Sequence, residues 1–414
     1  MKILHFPAYI TINGIKAFLR STSGYGYMTI DIATSIANLG IDVDLLTQSN
    51  ITKGLKYKNV NILKRTWWNI LSKIRLSDIW MTLKTIITDH VALKKIPNVV
   101  LYNISMGYFC HILRKNKYDL IHIHGIGHYT LPIINVCEKN NIKYVVTLHG
   151  LNSFSDSIDI SKWEKQNEKL FLQKALEKNI PVSVISIGIK QTILNHFKIK
   201  DSDNFRVIPN ACEVNSKEFP DFFNIREKYN IPETNRIIVC VGNIGLRKNQ
   251  IQIVRSFSLL PDILKNELRL LLLGRDSTNG LVQNEIDSLG LNSQIKMCGN
   301  IPKEEVKDYY HQADFNIVAS ISEGFGLSII EGFVYGLPTV TFADLDAVKD
   351  VYHPEAMFLV YERTDEAFKN GIVEMLDKKW DKAFIRNYAQ KFSFEKMAEK
   401  YSDFYKQIIN EKND

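Results

Sequence analysis

The feature that most constrains the fold of this chain is an alternation of short apolar segments with helical patterns. Residues Lys2–Phe6 form a short apolar run, and residues 27–39 carry apolar side chains at helical spacing up to Gly40. Apolar residues that recur every three or four positions indicate a helix, and glycine is common just beyond a helix C-terminus. A second apolar run follows at 42–47. This strand–helix–strand order is typical of parallel sheets.

The alternation continues through two sets of predicted strands, separated by a polar stretch near 211–235. The first set comprises 2–6, 42–47, 119–124, 144–149, 182–186 and 205–209, and the second comprises 237–241, 268–273, 294–297, 314–318 and 338–342. The sequence therefore predicts an α/β protein with two Rossmann-like, doubly wound domains. We place the N-terminal domain at 1–212, the C-terminal domain at 213–390 and, in the segment 391–414, a last helix over about 394–410 with Ser393 as its N-cap.

Composition excludes several classes of protein. Apolar residues make up 45% and charged residues 23% of the 414 positions, which argues against a disordered chain. No run approaches the roughly 20 apolar residues of a membrane-spanning helix, and the first residues do not resemble a signal peptide. The five cysteines include no C-x-x-C pair, as expected for reduced thiols in a cytosolic protein rather than for a zinc or disulfide framework.

Charge is distributed unevenly along the chain. Residues 1–214 hold 27 Lys and Arg against 15 Asp and Glu, whereas residues 215–414 hold 25 against 30. A basic half suggests an anionic partner, and a lysine-rich surface without any partner is the alternative.

The strongest chemical signal is the segment Ser322–Glu331, which reads Ser-Glu-Gly-Phe-Gly-Leu-Ser-Ile-Ile-Glu and follows a predicted strand. The glycines allow close approach of a ligand, and a helix is expected to begin near Leu327. Free amides at a helix N-terminus bind phosphate, and the carboxylates of Glu323 and Glu331 accept hydrogen bonds from sugar hydroxyls. The segment therefore suits a nucleotide-sugar, although a plain turn followed by a helix is the alternative.

A second signal is the segment Gly242–Asn249, which follows another predicted strand. Arg247 and Lys248 are two cations before a helix, an arrangement suited to a diphosphate. The segment lacks the spacing of a P-loop and of a dinucleotide-binding loop. Alone this segment is a weak signal of a diphosphate site. It becomes informative because we expect it to lie opposite the Glu323 loop.

Taken together, these segments resemble family 4 glycosyltransferases of the GT-B fold over nearly the whole chain. Glu323 and Glu331 match the family's two glutamates separated by seven residues, and Arg247 and Lys248 match its basic pair. Val207–Asn210 resembles the family's interdomain V-I-P-N-G segment. Asn243 departs from the family, which usually has arginine there. The resemblance implies two Rossmann-like domains facing each other across a cleft, with a last helix that crosses back to the N-terminal domain.

The resemblance also implies roles for individual residues. The residues expected to act in catalysis are His149, Arg247, Lys248 and Glu323. The residues expected to bind the donor are Gly24, Gly242, Asn243, Arg247, Lys248, Arg275, Asn300, Ile301, Glu323, Gly324, Phe325, Gly326, Leu327, Ser328 and Glu331. His124 and Asn152 are expected on the acceptor side. The resemblance also implies transfer with retention of anomeric configuration and without a metal, so we expect no cofactor and no metal.

Histidines at strand ends leave a metal site open as a weaker alternative. His122 and His124 share one face of a strand, and His128 and His149 could join them, but few carboxylates lie nearby. The pairs Asp201/Asp203 and Asp344/Asp346 resemble D-x-D metal motifs and are expected to be loop carboxylates.

Residues 62–96 are expected to form a basic amphipathic segment. Its acidic residues are Asp78 and Asp89, and its cations are Lys64, Arg65, Lys73, Arg75, Lys84, Lys94 and Lys95. Tryptophans together with such an excess of cations are typical of helices that lie on an anionic membrane surface. The alternative is that the tryptophans fill a core.

The sequence thus predicts a hexosyl- or N-acetylhexosaminyltransferase that uses a nucleoside-diphosphate sugar and a glycan or lipid-linked glycan acceptor. We expect it to be cytoplasmic, peripheral on the inner face of the cell membrane, active in bacterial surface polysaccharide biosynthesis (O-antigen or capsule), and without a nucleic-acid partner. A nucleotide-sugar 2-epimerase of the same fold and a non-catalytic nucleotide-sugar-binding subunit are the alternatives.

Overall fold

The computed structural model describes residues 1–15, 18, 24–49, 51–88, 96–127, 129–151, 153–154, 162–214 and 223–411. The chain forms two compact units. The N-terminal unit comprises Met1–Pro209 together with Phe394–Asp414, and the C-terminal unit comprises Asn210–Ser393. No helix among the described residues is both long enough and apolar enough to cross a bilayer.

The N-terminal unit is built on an eight-stranded sheet. Its strands are β1 (Lys2–Pro7), β2 (Asp42–Leu45), β3 (Leu55–Tyr57), β4 (Val60–Ile62), β5 (Leu120–His124), β6 (Lys143–Leu148), β7 (Val182–Val184) and β8 (Phe205–Val207). They lie in the order β3-β4-β2-β1-β5-β6-β7-β8. All neighbouring strands are parallel except β3 and β4, which form an antiparallel pair that the sequence pattern did not predict.

Helices cover this sheet, and its central strands β1 and β5 are buried on both faces, as is usual in parallel sheets. They are α1 (Gly24–Asn38), α2 (Trp67–Leu71), α3 (Leu76–Thr88), α4 (Ile96–Lys115), α5 (Thr130–Lys139), α6 (Lys162–Glu177), α7 (Ile187–Phe197) and, from the chain's end, α17 (Phe394–Asn410). The predicted stripe on α17 is buried, with Tyr401 and Tyr405 each 1% exposed or less. This helix contacts α1 and β6.

The C-terminal unit is built on a six-stranded, fully parallel sheet. Its strands are β9 (Arg236–Val241), β10 (Leu268–Leu273), β11 (Ile295–Gly299), β12 (Phe315–Val318), β13 (Thr339–Phe342) and β14 (Met357–Val360), in the order β11-β10-β9-β12-β13-β14. Its helices are α8 (Ile225–Tyr229), α9 (Gln250–Ser258), α10 (Asp262–Glu267), α11 (Leu281–Ser288), α12 (Lys303–Gln312), α13 (Leu327–Val334), α14 (Val348–Val351), α15 (Asp365–Asp377) and α16 (Lys382–Ala389).

Two apolar clusters hold this sheet, one on each face. Alternate residues of β9 contribute to them in turn, because side chains alternate across a strand: Ile238 belongs to one cluster, and Ile237 and Val239 to the other. The first strand of the unit, β9, pairs with both β10 and β12. Strand order reverses at this point, and ligands of doubly wound sheets bind beyond the carboxyl ends of the strands there. A ligand site is therefore expected at the loops after β9 and β12.

Candidate functional site

The loops that follow β9 and β12 are bound to each other through Arg247. Its carbonyl oxygen accepts a hydrogen bond from the Ile321 amide at 2.8 Å, and its Nη1 donates to the Ser322 carbonyl, also at 2.8 Å. The two segments that the sequence singled out are thus neighbours in the structure. Both loops follow buried parallel strands, so the sheet fixes where each loop begins. The two hydrogen bonds of Arg247 then hold the loops together.

A charged pair joins the same two loops. The Lys248 Nζ donates to Glu323 Oε1, the Ser320 hydroxyl donates to the same oxygen at 2.7 Å, and Arg247 Nη1 lies 3.6 Å from Oε2. The Glu323 side chain is only 9% exposed. Burial alone would raise the pKa of Glu323, but Lys248, Arg247 and Ser320 together hold that pKa below its ordinary value. Glu323 is therefore an ionised carboxylate in a fixed orientation.

Two glycines make room beside this pair. Gly242 and Gly274, at the carboxyl ends of β9 and β10, have φ of 141° and 146°. A Cβ on Gly274 would lie 2.2 Å from the Gly242 carbonyl oxygen, so no larger residue fits there. The Gly242 main chain faces the Lys248 side chain, since a Cβ on Gly242 would lie 3.3 Å from Nζ. The sequence did not single out Gly274.

The N-terminus of α13 lies directly after the Glu323 loop. Gly326 is the N-cap of the helix with φ of 81°, and no side chain in the described part of the chain caps it. Among the described residues, no hydrogen bond is made by the amides of Leu327 and Ser328, whereas the Ile329 amide bonds to Gly326. Two amides at the positive end of a helix are thus available to an anion. The side chain of Phe325 is 2% exposed and packs on Phe392.

Glu331 lies in the second turn of α13 with few partners. The Tyr310 hydroxyl, from α12, is 3.4 Å from Oε2 and 3.2 Å from the Ser328 carbonyl. Burial raises the pKa of Glu331, and the neighbouring Lys303 only partly opposes that rise. The carboxylate keeps most of its acceptor capacity and is therefore suited to accept hydrogen bonds from hydroxyl groups.

The other residues expected at the donor site have less defined surroundings. Asn243, Arg275 and Asn300 are exposed in the loops after β9, β10 and β11, and the Arg275 carbonyl accepts the Ile244 amide at 3.0 Å. Ile301 packs on the core beneath them. Gly324 is partly buried, between Glu323 and Phe325.

The C-terminal unit therefore brings together three kinds of group at one edge of its sheet: two cations, the free amides of a helix and two carboxylates in different protonation environments. Cations and amides bind the oxygens of a diphosphate, whereas carboxylates accept from sugar hydroxyls. One lysine has three donors, so Lys248 can hold Glu323 and still donate to a ligand.

The N-terminal unit contains a series of hydrogen-bonded histidines. His5 Nδ1 lies 2.9 Å from His124 Nε2, and His124 Nδ1 lies 3.1 Å from His149 Nε2. Burial lowers the pKa of His5 and of His149 to about 3, and burial followed by the neighbouring imidazoles lowers that of His124 well below 6.5. All three rings are therefore neutral at physiological pH, and each donates through one nitrogen only.

The two ends of this series have no partner among the described residues. His5 Nε2 and His149 Nδ1 are both buried and without a hydrogen bond. If the N–H groups point from His5 towards His149, His149 presents a donor at its free end, and if they point the other way it presents an acceptor. Either arrangement leaves one N–H and one acceptor nitrogen at the two buried ends of the series.

A fourth histidine is held differently. His122 Nδ1 lies 2.6 Å from the Tyr405 hydroxyl and its Nε2 lies 2.5 Å from Thr147 Oγ1, so both ring nitrogens are engaged. Nitrogens of His5, His122 and His124 come within 4.8 Å of one another, a spacing that a metal ion could use. Binding a metal there would cost His122 one of its hydrogen bonds, and the cluster contains no carboxylate.

The structure describes only some of the remaining residues predicted in the N-terminal half. Gly24 is the first residue of α1, and a Cβ there would meet no atom within 4 Å. Asn152 and His128 lie outside the described residues. Sequence reasoning missed His5, whose single signal was its place on the first strand, and Tyr405, which lies 283 positions from His122.

The segment 62–96 is basic, but two of its expected membrane-binding cations serve the fold instead. Arg65 is 5% exposed and donates to Gln48 and Ser105. Arg75 forms an ion pair with the fully buried Asp78, with Nη2 2.6 Å from Oδ1. The prediction for Arg65 is wrong, because its guanidinium is buried among its partners, whereas Arg75 is 39% exposed and its charge is paired with Asp78. Lys94, Lys95 and Asp89 lie outside the described residues.

The tryptophans of this segment are exposed, so the alternative that they fill a core is wrong. Trp67, Trp68 and Trp80 are 52%, 80% and 65% exposed. We use the name apolar surface for the exposed residues Trp67, Trp68 and Leu71 of α2 and Leu76, Ile79, Trp80, Leu83 and Ile87 of α3. Those on α3 recur every three or four residues and so occupy one face of the helix.

Comparison with known proteins agrees with this geometry. The model of the family described as "Glycosyltransferase Family 4" matches residues 22–216, and that of "Glycosyl transferases group 1" matches residues 221–392. An uncharacterised glycosyltransferase of Methanocaldococcus jannaschii is 23% identical over 316 residues, which cover 72% of this chain and 76% of the relative.

Solved structures share the fold over the whole chain. The sucrose-phosphate synthase of Thermosynechococcus elongatus has a TM-score of 0.73 at 19% identity and 99% coverage of both chains. HepE of Anabaena, solved with UDP and glucose, has a TM-score of 0.66 at 16% identity and covers 98% of this chain and 100% of its own. The two Rossmann-like units are those of the GT-B fold, and the chain belongs to glycosyltransferase family 4.

Proposed function

We propose that this glycosyltransferase takes a nucleoside-diphosphate sugar as donor and transfers the hexosyl or N-acetylhexosaminyl group with retention of configuration. The observation that carries the proposal is the Lys248–Glu323 pair, which joins the two loops at the switch point of the C-terminal sheet beside the free amides of α13. The fold shared with HepE, which was solved with UDP and glucose, supports a nucleotide-sugar donor.

In this proposal the diphosphate occupies the space between Lys248 and the α13 N-terminus. The leaving diphosphate gains negative charge as the glycosidic bond breaks. Lys248, Arg247 and the amides of Leu327 and Ser328 are already oriented and so stabilise that charge more than they stabilise the bound donor. Glu331 accepts hydrogen bonds from the ribose, and Glu323 accepts them from the sugar.

Retention follows, in this proposal, from attack on the face that the diphosphate leaves. Glu323 is poorly suited to act as a nucleophile that forms a covalent intermediate, because Lys248 and the Ser320 hydroxyl bind Oε1 and Arg247 lies 3.6 Å from Oε2, which together stabilise the free carboxylate, while Oε2 keeps room to accept from a sugar hydroxyl. A double displacement would also need two carboxyl groups flanking the bond. The acceptor hydroxyl therefore attacks beside the leaving diphosphate, whose oxygen takes the proton. The step needs no metal.

We further propose that the acceptor is a glycan or lipid-linked glycan of bacterial surface polysaccharide and that the chain works on the cytoplasmic face of the membrane. The apolar surface supports this, because tryptophans and aliphatic side chains on one face of a helix are suited to the headgroup region of a bilayer. The nearby Lys84, whose Nζ lies 5.3 Å from the Trp80 ring, adds positive charge to that face.

A transfer assay tests this function. The full chain is incubated with UDP-, GDP-, ADP- and CDP-sugars, each with and without a lipid-linked glycan acceptor extracted from bacterial membranes, and products are followed by NMR. We expect acceptor-dependent release of nucleoside diphosphate and an unchanged anomeric configuration. Conversion of a donor without acceptor would instead indicate the epimerase, and tight donor binding without turnover would indicate a binding subunit. An inverted product would contradict the mechanism.

A further inference from the structure

A cavity of about 390 Å³ lies between α2 and α4 in the N-terminal unit, away from the histidine series. Its lining residues are Leu63, Lys64, Asn69, Ser72, Lys73, Tyr108, His111, Ile112, Lys115 and Asn116. Three of these are lysines and none is acidic. Among the described residues no carboxylate pairs with Lys64, Lys73 or Lys115. We name this feature the lysine cavity.

The lysine cavity is held open by contacts that the fold specifies. Gly107 allows the loop after α2 to lie directly on α4, because a Cβ there would be 1.9 Å from the Lys73 carbonyl oxygen. The buried Tyr108 donates to the Lys64 carbonyl at 2.5 Å, which fixes the other side. Lys64 and Lys73 are therefore brought to α4, where Lys115 lies in the last turn.

The same short helix that borders the cavity carries part of the apolar surface. Asn69 and Ser72 line the cavity, while Trp68 and Leu71, one position before each of them, are exposed. Indole rings of membrane-bound proteins lie at the level of the lipid headgroups. Asn69 follows Trp68 in the chain and lines the cavity, so contact of the apolar surface with a bilayer would bring the rim of the cavity close to the headgroups.

We infer that the lysine cavity binds the phosphate group of a membrane lipid. This inference rests on the proposed membrane association and adds a specific headgroup site to it. Three ammonium groups supply up to nine donors, and the amide groups of Asn69 and Asn116 line the same space. A phosphomonoester carries more charge and more free oxygens than a phosphodiester. The cavity therefore favours a lipid with a terminal phosphate.

Vesicle binding tests the inference with the full chain. One set of vesicles combines phosphatidylcholine with phosphatidic acid, a monoester, and the other combines it with phosphatidylglycerol, a diester, with the two sets matched in surface potential. We expect the wild type to bind the phosphatidic acid vesicles more tightly. The variant Lys64→Gln/Lys73→Gln/Lys115→Gln should bind the phosphatidic acid vesicles about tenfold less tightly than the wild type and should no longer prefer them. It should keep residual binding through the apolar surface.

A matched variant controls for net charge. Lys139, Lys178 and Lys200 are exposed lysines of the same unit that do not line the cavity, so Lys139→Gln/Lys178→Gln/Lys200→Gln removes the same charge elsewhere. It should keep the preference for phosphatidic acid. Equal loss in both triple variants, or a wild type without any preference at matched potential, would overturn the inference.

Two further measurements distinguish a lipid ligand from a soluble phosphate and from the nucleotide-sugar donor. If inorganic phosphate or pyrophosphate binds the wild type as tightly as the vesicles do and releases it from them, the ligand is a soluble phosphate and the lipid assignment is wrong. Calorimetric titration with UDP-, GDP-, ADP- and CDP-sugars should give the same affinities for the cavity variant and the wild type. A failure of donor binding in both proteins would count against the proposed function and leave the vesicle result to decide the cavity by itself.

Discussion

Lys248 and Glu323 form an ion pair although they lie 75 positions apart in the chain, one after β9 and one after β12. The pair fixes the Glu323 carboxylate and at the same time holds the Lys248 ammonium at the loop that leads into α13. A buried pair of this kind is costly to break, because the remaining charge has no partner. Its position at the strand-order reversal gives it a direct part in ligand binding.

Lys248→Gln is expected to lower the transfer rate by roughly 10²- to 10³-fold, the usual effect of removing one oriented group that stabilises a developing negative charge. Donor affinity should fall much less, because the charge on the diphosphate grows only as it leaves. Steady-state kinetics check this. Arg255→Gln is the control, since it breaks the exposed Arg255–Glu285 pair on α9. Unchanged turnover in Lys248→Gln would assign the role to Arg247 alone.

Removal of divalent metal should leave the rate of transfer unchanged. In the proposed mechanism the cations of the protein, not a metal ion, neutralise the diphosphate. The measurement is the initial rate after dialysis against a chelator, with metal content determined by mass spectrometry. Two results together would make His5, His122 and His124 a metal site. The wild type would lose most of its rate and regain it with added zinc, and the chelator would not change the rate of the His122→Asn variant.

The neutral histidines make the stability of the chain depend on pH between about 3 and 6.5. In the unfolded chain His149 takes up a proton below its ordinary pKa of 6.5, but in the folded chain burial lowers that pKa to about 3. The free energy of unfolding therefore has its full value above pH 6.5 and falls as the pH drops through this window. For one such histidine the loss between pH 7 and pH 5 is about 2 kcal/mol.

In His149→Gln the fall in the free energy of unfolding between pH 7 and pH 5 should be smaller by about 2 kcal/mol, because glutamine does not titrate and can still bond to His124. Urea unfolding at pH 7 and pH 5 gives the two free energies for each protein. His196→Gln is the control, since this histidine lies in the last turn of α7 and outside the series. Equal pH dependence in wild type and His149→Gln would show that His149 is already protonated or exposed in the folded chain.

The apolar surface should carry the salt-resistant part of membrane binding. Trp68→Ser/Trp80→Ser removes two exposed indoles, each of which contributes roughly a factor of ten through buried apolar area. Vesicle co-sedimentation at low and high salt measures this. Ile263→Ser/Tyr361→Ser is the control, because these side chains are 74% and 83% exposed but lie in the C-terminal unit. Binding that is abolished by salt alone would contradict a role for the tryptophans.

Much of the fold follows from local patterns in the sequence. The strand 268–273 and the helix 394–410 have the bounds that their apolar spacing predicts, and most other predicted strands differ by one or two residues at their ends. The short strands β3, β4 and β14 and the helix α8 were missed. Elements of three to five residues contain too few positions for a period to emerge.

The candidate site, like the fold, could be predicted from the sequence only in part. Glu323, Glu331, Arg247 and Lys248 could be found because they lie in compact segments after strands. Their supporting residues could not, because Tyr310 reaches Glu331 from another helix and carries no local signal. The tryptophans of 62–96 show the same limit, since a helical stripe has the same spacing whether it is buried or exposed. Only tertiary packing separates the two.

The most direct test of the proposed donor site is the pH dependence of donor affinity in Glu331→Gln. Ribose hydroxyls bond best to the ionised carboxylate, and burial raises the pKa of Glu331 above its usual 4.5. Calorimetric titration with the donor sugar identified in the transfer assay should give a wild-type affinity that falls as the pH is lowered towards the raised pKa.

In Glu331→Gln the affinity at neutral pH should be lower by about 1.5–3 kcal/mol, the usual contribution of a hydrogen bond to a charged group, and the dependence on pH should be lost. Thermal unfolding controls for structural damage. Wild-type affinity in a folded Glu331→Gln protein, with the same pH profile, would contradict the placement of the nucleotide-sugar at this edge of the C-terminal sheet.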